Sequence, residues 1–294
     1  MKRPLLILTA ISLLWGSEWL LDQWVNGIPR FRLLAIRSLV AAFVLVPVAF
    51  RPGKPSNHIP IYKSVLLGVV VNIVPILFLA NCTDLSPGLV VVLFAILPLM
   101  TSVIEEGRGL ASAPILIGGL GGTAFLVRGG LSFSLSQTVP VLILLLILIA
   151  VAAVLVRAKQ WMSITNIPAA VMIQMFTAAA VFGSYSFLRE GTPVSRLALS
   201  TGLATLALGI LASALAHCGF YWLLANTDPS QAAAVQWLVP VVGLIESAIL
   251  LRHLPPWDSL LGGIVSVSSA ILMFRSPIQG DSPLTLKITN SPQQ

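Results

Sequence analysis

The chain has 294 residues, of which 57% are hydrophobic and only 9% charged, and its mean hydropathy is +0.96. That balance excludes an ordinary soluble domain, in which about a quarter of the residues carry charge. The formal charge of +7 would suggest nucleic acid for a water-soluble protein, but here Lys and Arg fall mostly between apolar runs, where they orient a chain across a bilayer, and no nucleic-acid partner is expected.

Apolar runs of about 18 or more residues recur along nearly the whole length, each long enough to cross a hydrocarbon core as a helix. They predict an all-α polytopic membrane protein with ten spans, over 4–24, 32–50, 61–81, 86–104, 112–128, 138–156, 167–188, 199–225, 230–251 and 256–274. The first run follows Lys2 and Arg3 like a leader peptide. Glu18 interrupts it, however, and no small-x-small cleavage site precedes a soluble mature protein, so it is read as a span. Cys82 and Cys218, at the end of one span and inside another, are read as small packing residues rather than a disulfide. The stretch 275–294 is polar and Pro-containing and is read as a disordered cytoplasmic tail.

An inward amino terminus puts Lys2, Arg3, Arg51, Lys54, Lys63, Arg108, Arg157, Lys159, Arg275 and Lys287 inside. Arg30, Arg32, Arg128, Arg189, Arg196 and Arg252 then lie outside. The excess is modest and predicts both termini in the cytoplasm of a plasma membrane, the inner membrane if the source is bacterial.

The two halves echo each other. The run from Leu89 through Pro98 to Met100 leads to a charged loop and the Gly118-Gly119 helix. The run from Gln231 through Pro240 to Val242 leads to Arg252-His253 and the Gly262-Gly263 helix. The prolines stand 142 residues apart, close to half of the spanning region, as duplication requires. Five spans per unit is an odd number, so the second copy, 138–274, lies inverted relative to the first, 1–128. Inverted repeats of this kind typify transporters that rock around a site at mid-depth.

Trp15-Gly16-Ser17, Gly27-Ile28-Pro29, Arg37 within the second span and the two proline helices, taken in order, resemble the drug/metabolite transporter superfamily, specifically its EamA-type ten-helix members. The resemblance covers about 4–274 and implies two inverted five-helix bundles, cytoplasmic termini and efflux of metabolites or drugs. It leaves the substrate open, since members handle amino acids, their derivatives, nucleobases and toxic cations. This chain departs from the pattern at Glu18-Trp19, at Arg252-His253 where the family carries Gly-Glu, at Glu246 and at His217.

Ionisable groups inside a span cost about 2.5–3.5 kcal/mol on insertion scales and so face a cavity or a partner. Counted from the span centres, Glu18, Arg37 and Glu246 share a layer about 6–8 Å toward the outer side. Trp15 and Glu18 fall on one helix face with Trp19 alongside, a setting for an organic cation or an exchangeable proton. The competing reading makes Glu18 the partner that neutralises Arg37. Arg37 itself either anchors an anionic group or forms a structural pair with Glu18 or Glu246. On the inner side Gln174, His217 and Gln236, with Trp237 beside it, and near the centre of the third span Asn72, offer hydrogen bonds to a polar solute or simply join helices. Pro98 and Pro240 are expected to interrupt their helices and bare carbonyl oxygens to the pathway, and the paired glycines to allow close packing.

No metal cluster, nucleophile elbow or HExxH pattern occurs, and Asp22, Asp84, Asp228 and Asp258 lie near span ends. No enzyme activity, metal or cofactor is expected. The residues point to a secondary transporter exporting an amino-acid-like or cationic metabolite by alternating access, possible partners being the solute, the bilayer and protons. The alternative is a non-transporting membrane binding or lipid-handling accessory protein.

Overall fold

The computed structural model describes residues 2–51, 60–105, 112–163, 166–191, 198–252 and 255–275. Lys54, Arg108, Arg196, His253, Lys287 and the expected tail beyond Arg275 lie outside the described residues.

Among the described residues nine helices are long and apolar enough to cross a bilayer: α1 (Lys2–Asp22), α2 (Arg30–Ala49), α3 (Ile61–Asn81), α4 (Pro87–Ile104), α6 (Leu135–Met162), α7 (Ile167–Arg189), α8 (Leu199–Asn226), α9 (Pro229–Leu250) and α10 (Trp257–Arg275). The apolar helix α5 (Ala113–Leu126) is shorter. At 1.5 Å per residue it reaches about 21 Å. Among the described residues there is no strand. The protein is an all-α, multi-pass membrane protein.

Interhelical contacts sort the helix ends onto two faces. On the terminal face, where α1 begins and α10 ends, Lys63 at the start of α3 lies over the Trp161 ring at the end of α6. There also Asn166, ahead of α7, donates to the carbonyl of Ala49 at the end of α2. On the opposite, far face, Glu190 after α7 accepts the backbone N–H groups of Phe31 and Arg32 at the start of α2 (2.7 and 2.9 Å). These donors belong to the first turn, which has no partner of its own within the helix, so a carboxylate there both caps α2 and opposes its dipole.

Exchanging the halves maps the packing onto itself. α2 lies along α7 and α5 along α10, each helix against its counterpart. α1 packs on α8 and α9, and correspondingly α6 packs on α3 and α4. Both α3 and α8 loosen into a π-helical turn, at Gly68–Ile73 and Leu208–Leu215. Each turn opens on a close backbone approach: a Cβ on Gly68 would stand 3.2 Å from Gln174 of α7, and one on Gly209 2.7 Å from Val40 of α2. The glycine pairs act as spacers. A Cβ on Gly262 would meet the backbone nitrogen of Leu126 at 2.4 Å, and one on Gly119 the Trp237 ring at 2.5 Å.

The outer surface is apolar, with Leu6, Phe43, Ile117, Leu146 and Ile264 all more than half exposed. A surface of that extent is stable against acyl chains and not against water. Cys82 and Cys218 are not joined in a disulfide.

The two proline helices differ from expectation. Near Pro98 the interruption comes at Ile96, and the proline enters the new helix Leu97–Ile104 at its second position, where a missing N–H costs nothing. In α9 the interruption lies at Ala234, and Pro240 stands inside the continuous helix Val235–Leu251. The helix break predicted at Pro240 is therefore displaced by six residues. The short helix Pro229–Ala233 has its own start signal, a capping box between Asp228 and Gln231, and ends before the proline is reached.

Candidate functional site

At the centre of the bundle α1, α2, α3, α4, α6, α7, α8 and α9 surround a cavity of about 360 Å³, within the range of small-molecule sites. On α3 it extends to Leu79, two residues from the helix end at Asn81 on the far face. On α6 it stops at Leu155, seven residues short of Met162 on the terminal face. On α8 it reaches Tyr221, five residues from Asn226 on the terminal face, so the cavity sits near mid-depth.

α1 carries Trp15 and Glu18 into it, although its helix breaks between them at Ser17. Glu18 pairs with Arg37 of α2, and Arg37 Nε donates to Ser213 Oγ of α8 (2.9 Å). The π-helical turn of α8 presents the Ala212 carbonyl to two side chains: Trp15 Nε1 donates to it at 3.0 Å, and His217 Nδ1 lies 3.2 Å away. Trp15 meets the His217 ring edge-on at 5.4 Å. Beyond His217 the polar groups continue. His217 Nε2 lies 3.3 Å from Asn72 Oδ1, Asn72 Nδ2 donates to Gln174 Oε1 (3.4 Å), and Tyr221 Oη donates to the same oxygen (2.8 Å). Leu34, Ile76, Phe94, Met175, Phe182 and Phe220 make most of the remaining wall apolar.

The structure therefore gathers Trp15, Glu18, Arg37, Asn72, His217 and Gln236 at one cavity, with Gln174 fully buried just behind it. It separates the others. Trp237 packs instead among Ala95, Leu116, Ala270 and Met273, and its Nε1 donates to the Ala95 carbonyl (2.9 Å) at the α4 interruption. Glu246 lies in the α1–α9 interface, accepting a hydrogen bond from Ser17 rather than pairing with Arg37. Trp19, beside Glu18, is not part of the cavity wall. The expected layer of three charges is thus a pair, because Glu246 is held by Ser17 in the α1–α9 interface.

Three features escape a reading of single spans. Ser213 and Tyr221 are unremarkable residues in an apolar run, and only the fold turns them toward Arg37 and Gln174. Lys159, assigned to a loop, lies within α6 and contacts Asp228 (2.8 Å) and Glu105 (3.6 Å) on the terminal face. A hint was present, since α6 continues with helix-compatible residues through Met162. Among the described residues no group of three His, Cys, Asp or Glu side chains could hold a metal ion.

None of the curated proteins matches the chain. One solved structure, described simply as a crystal structure of a protein, superposes with a TM-score of 0.77 over 94% of this chain and 99% of its own, at 18% identity. Likeness at that identity speaks for the fold. The family model of the EamA-like transporter family matches residues 2–107 and 138–275, one segment in each half. With both halves of the sequence matched and two interchangeable five-helix units in the fold, the chain belongs to the EamA-like transporter family.

Proposed function

We propose that the protein exports a small amphipathic metabolite, amino-acid-like in its charged head, by alternating exposure of the central cavity. The observation that carries this reading is the Glu18–Arg37 pair on the wall of a cavity that is otherwise uncharged and largely apolar. Because the two charges already offset each other, a lone cation must displace Arg37 and leave it buried without its partner, which is costly. A zwitterion can exchange into the pair, its ammonium on Glu18 and its carboxylate on the planar guanidinium fork. Its apolar part then meets the Phe94, Phe182 and Phe220 side of the wall. A simple organic cation is the less favoured substrate for the same reason.

In this reading the terminal face is cytoplasmic in a plasma membrane, in keeping with its Lys and Arg residues. The repeats divide between 128 and 138. Glu18 exchanges protons when solute draws Arg37 away. The alternative, a lipid-handling accessory protein, would need a groove open to acyl chains where the polar cavity stands.

Vesicles containing the purified protein should accumulate a labelled member of a metabolite panel, with zwitterions outcompeting simple cations, and the flux should depend on pH. Absence of flux across the panel would overturn the reading. Glu18→Gln should remove the pH dependence, and pH dependence equal to the parent's would remove Glu18 from the coupling step.

A further inference from the structure

Two buried polar atoms at the far end of the α1–α9 interface have no hydrogen-bond partner among the described residues: the donor Trp19 Nε1 and the acceptor Glu246 Oε2. A buried group left without a partner forfeits its hydration for nothing, so native structures hold few of them. These two are complementary and neighbouring. Trp19 Nε1 lies 3.7 Å from where a Cβ on Gly243 would stand, and Glu246 follows Gly243 by three residues, nearly one turn along the same face. The other oxygen of Glu246 accepts from Ser17, two residues before Trp19. Donor and acceptor thus flank one contact without bonding across it.

The local backbone gives them a way to meet. The α1 helix breaks at Ser17, separating Lys2–Gly16 from the short segment Glu18–Asp22. Adjacent residues in a helix point about 100° apart, so that segment carries Glu18 toward Arg37 and Trp19 toward α9. Whatever rearranges the Glu18–Arg37 pair also moves Trp19.

The other half of the molecule shows the completed version. Exchanging the halves turns the α1–α9 contact into the α6–α4 contact, and on the terminal face that contact is tied by Lys159 to Glu105 at 3.6 Å and further to Asp228 at 2.8 Å. Glu105 follows Pro98 by seven residues and Glu246 follows Pro240 by six, so the two acids occupy corresponding ends of their helices. On the terminal face this contact carries an ion pair, while its far-face counterpart holds an unmated donor and acceptor.

We infer that Trp19 Nε1 and Glu246 Oε2 bond to each other when the far face closes, making them positioning residues for that step without touching solute. The inference rests on the alternating-access reading above.

The test is access to the cavity from the terminal face, which opens only when the far face is closed. In protein with Cys82 and Cys218 replaced by Ser, Leu155→Cys places a thiol in the terminal half of the cavity. It is reacted with a membrane-impermeant maleimide in vesicles whose outer surface carries the terminal face, with no solute present. Trp19→Phe, which removes the N–H and keeps a ring, and Glu246→Leu, which removes the acceptor, should each slow labelling about fivefold, the worth of one hydrogen bond. The double variant should be no slower than either single one, because both remove the same bond. Unchanged labelling in both single variants, or a double variant slowed by the product of the two, overturns the contact alone. A thiol that reacts from the far face and never from the terminal face in the parent overturns the alternating-access reading and the contact together.

Discussion

Replacing Glu18 with Gln leaves Arg37 a cation without its carboxylate, with Ser213 Oγ still 2.9 Å from its Nε. The two partners are unequally placed, the Arg37 side chain being 9% exposed and that of Glu18 30%. Removing one member of a fully buried pair costs about 3–5 kcal/mol, because the survivor stays desolvated. With Glu18 nearly a third exposed, screening reduces the expected loss for Glu18→Gln to about 2–3 kcal/mol. Arg37→Met leaves the more accessible carboxylate behind and should cost less, about 1–2 kcal/mol. The double variant, with no charge left to bury, should return to within about 1 kcal/mol of the parent. Unfolding of the purified protein in mixed micelles by increasing SDS measures all four corners of this cycle. Losses that simply add in the double variant, or an Arg37 variant weaker than the Glu18 variant, would refute the reasoning.

Glu190→Gln removes the charge that caps α2 through Phe31 and Arg32; it should cost about 1–2 kcal/mol in the same assay, the worth of charge-assisted bonds at a helix start. Gly262→Ala forces a methyl group against the backbone of Leu126 and Gly122 in the α5–α10 contact and should destabilise by about 1–3 kcal/mol. Gly121→Ala, with nothing within 4 Å of the added carbon, should be neutral or up to about 1 kcal/mol stabilising, since alanine favours the helix; thermal midpoints of the two variants moving together would count against the packing described.

Much of this fold is legible in hydropathy, because lipid demands long apolar runs wherever backbone crosses it. The offset between Pro98 and Pro240 also exposes the duplication without any coordinates. What hydropathy lacks is rotation about the helix axis. Glu18 and Glu246 lie at similar depth by counting residues, yet one faces Arg37 and the other Ser17, since depth along a helix says nothing of the side on which a residue emerges. Trp237 looks like a cavity aromatic next to Gln236, but consecutive residues diverge by about 100°, and Trp237 is consumed in satisfying the Ala95 carbonyl. The π-helical turns in α3 and α8 were equally hidden. Gly68 and Gly209 mark them, but their meaning depends on the helices that press against them. Pro240 misleads because a proline can be carried inside a helix that has already restarted at Val235.

Solute that crosses through the central cavity must be stopped by anything that fills it. Ala178, buried on its wall, can be replaced by Cys in protein whose native cysteines are Ser, and a bulky thiol reagent attached there before flux is measured in vesicles. Attachment should abolish flux of the panel's best substrate, excess substrate should slow the attachment, and the same reagent at Ile117→Cys on the outer surface should leave flux intact. Full flux through protein modified at Ala178→Cys would contradict the account.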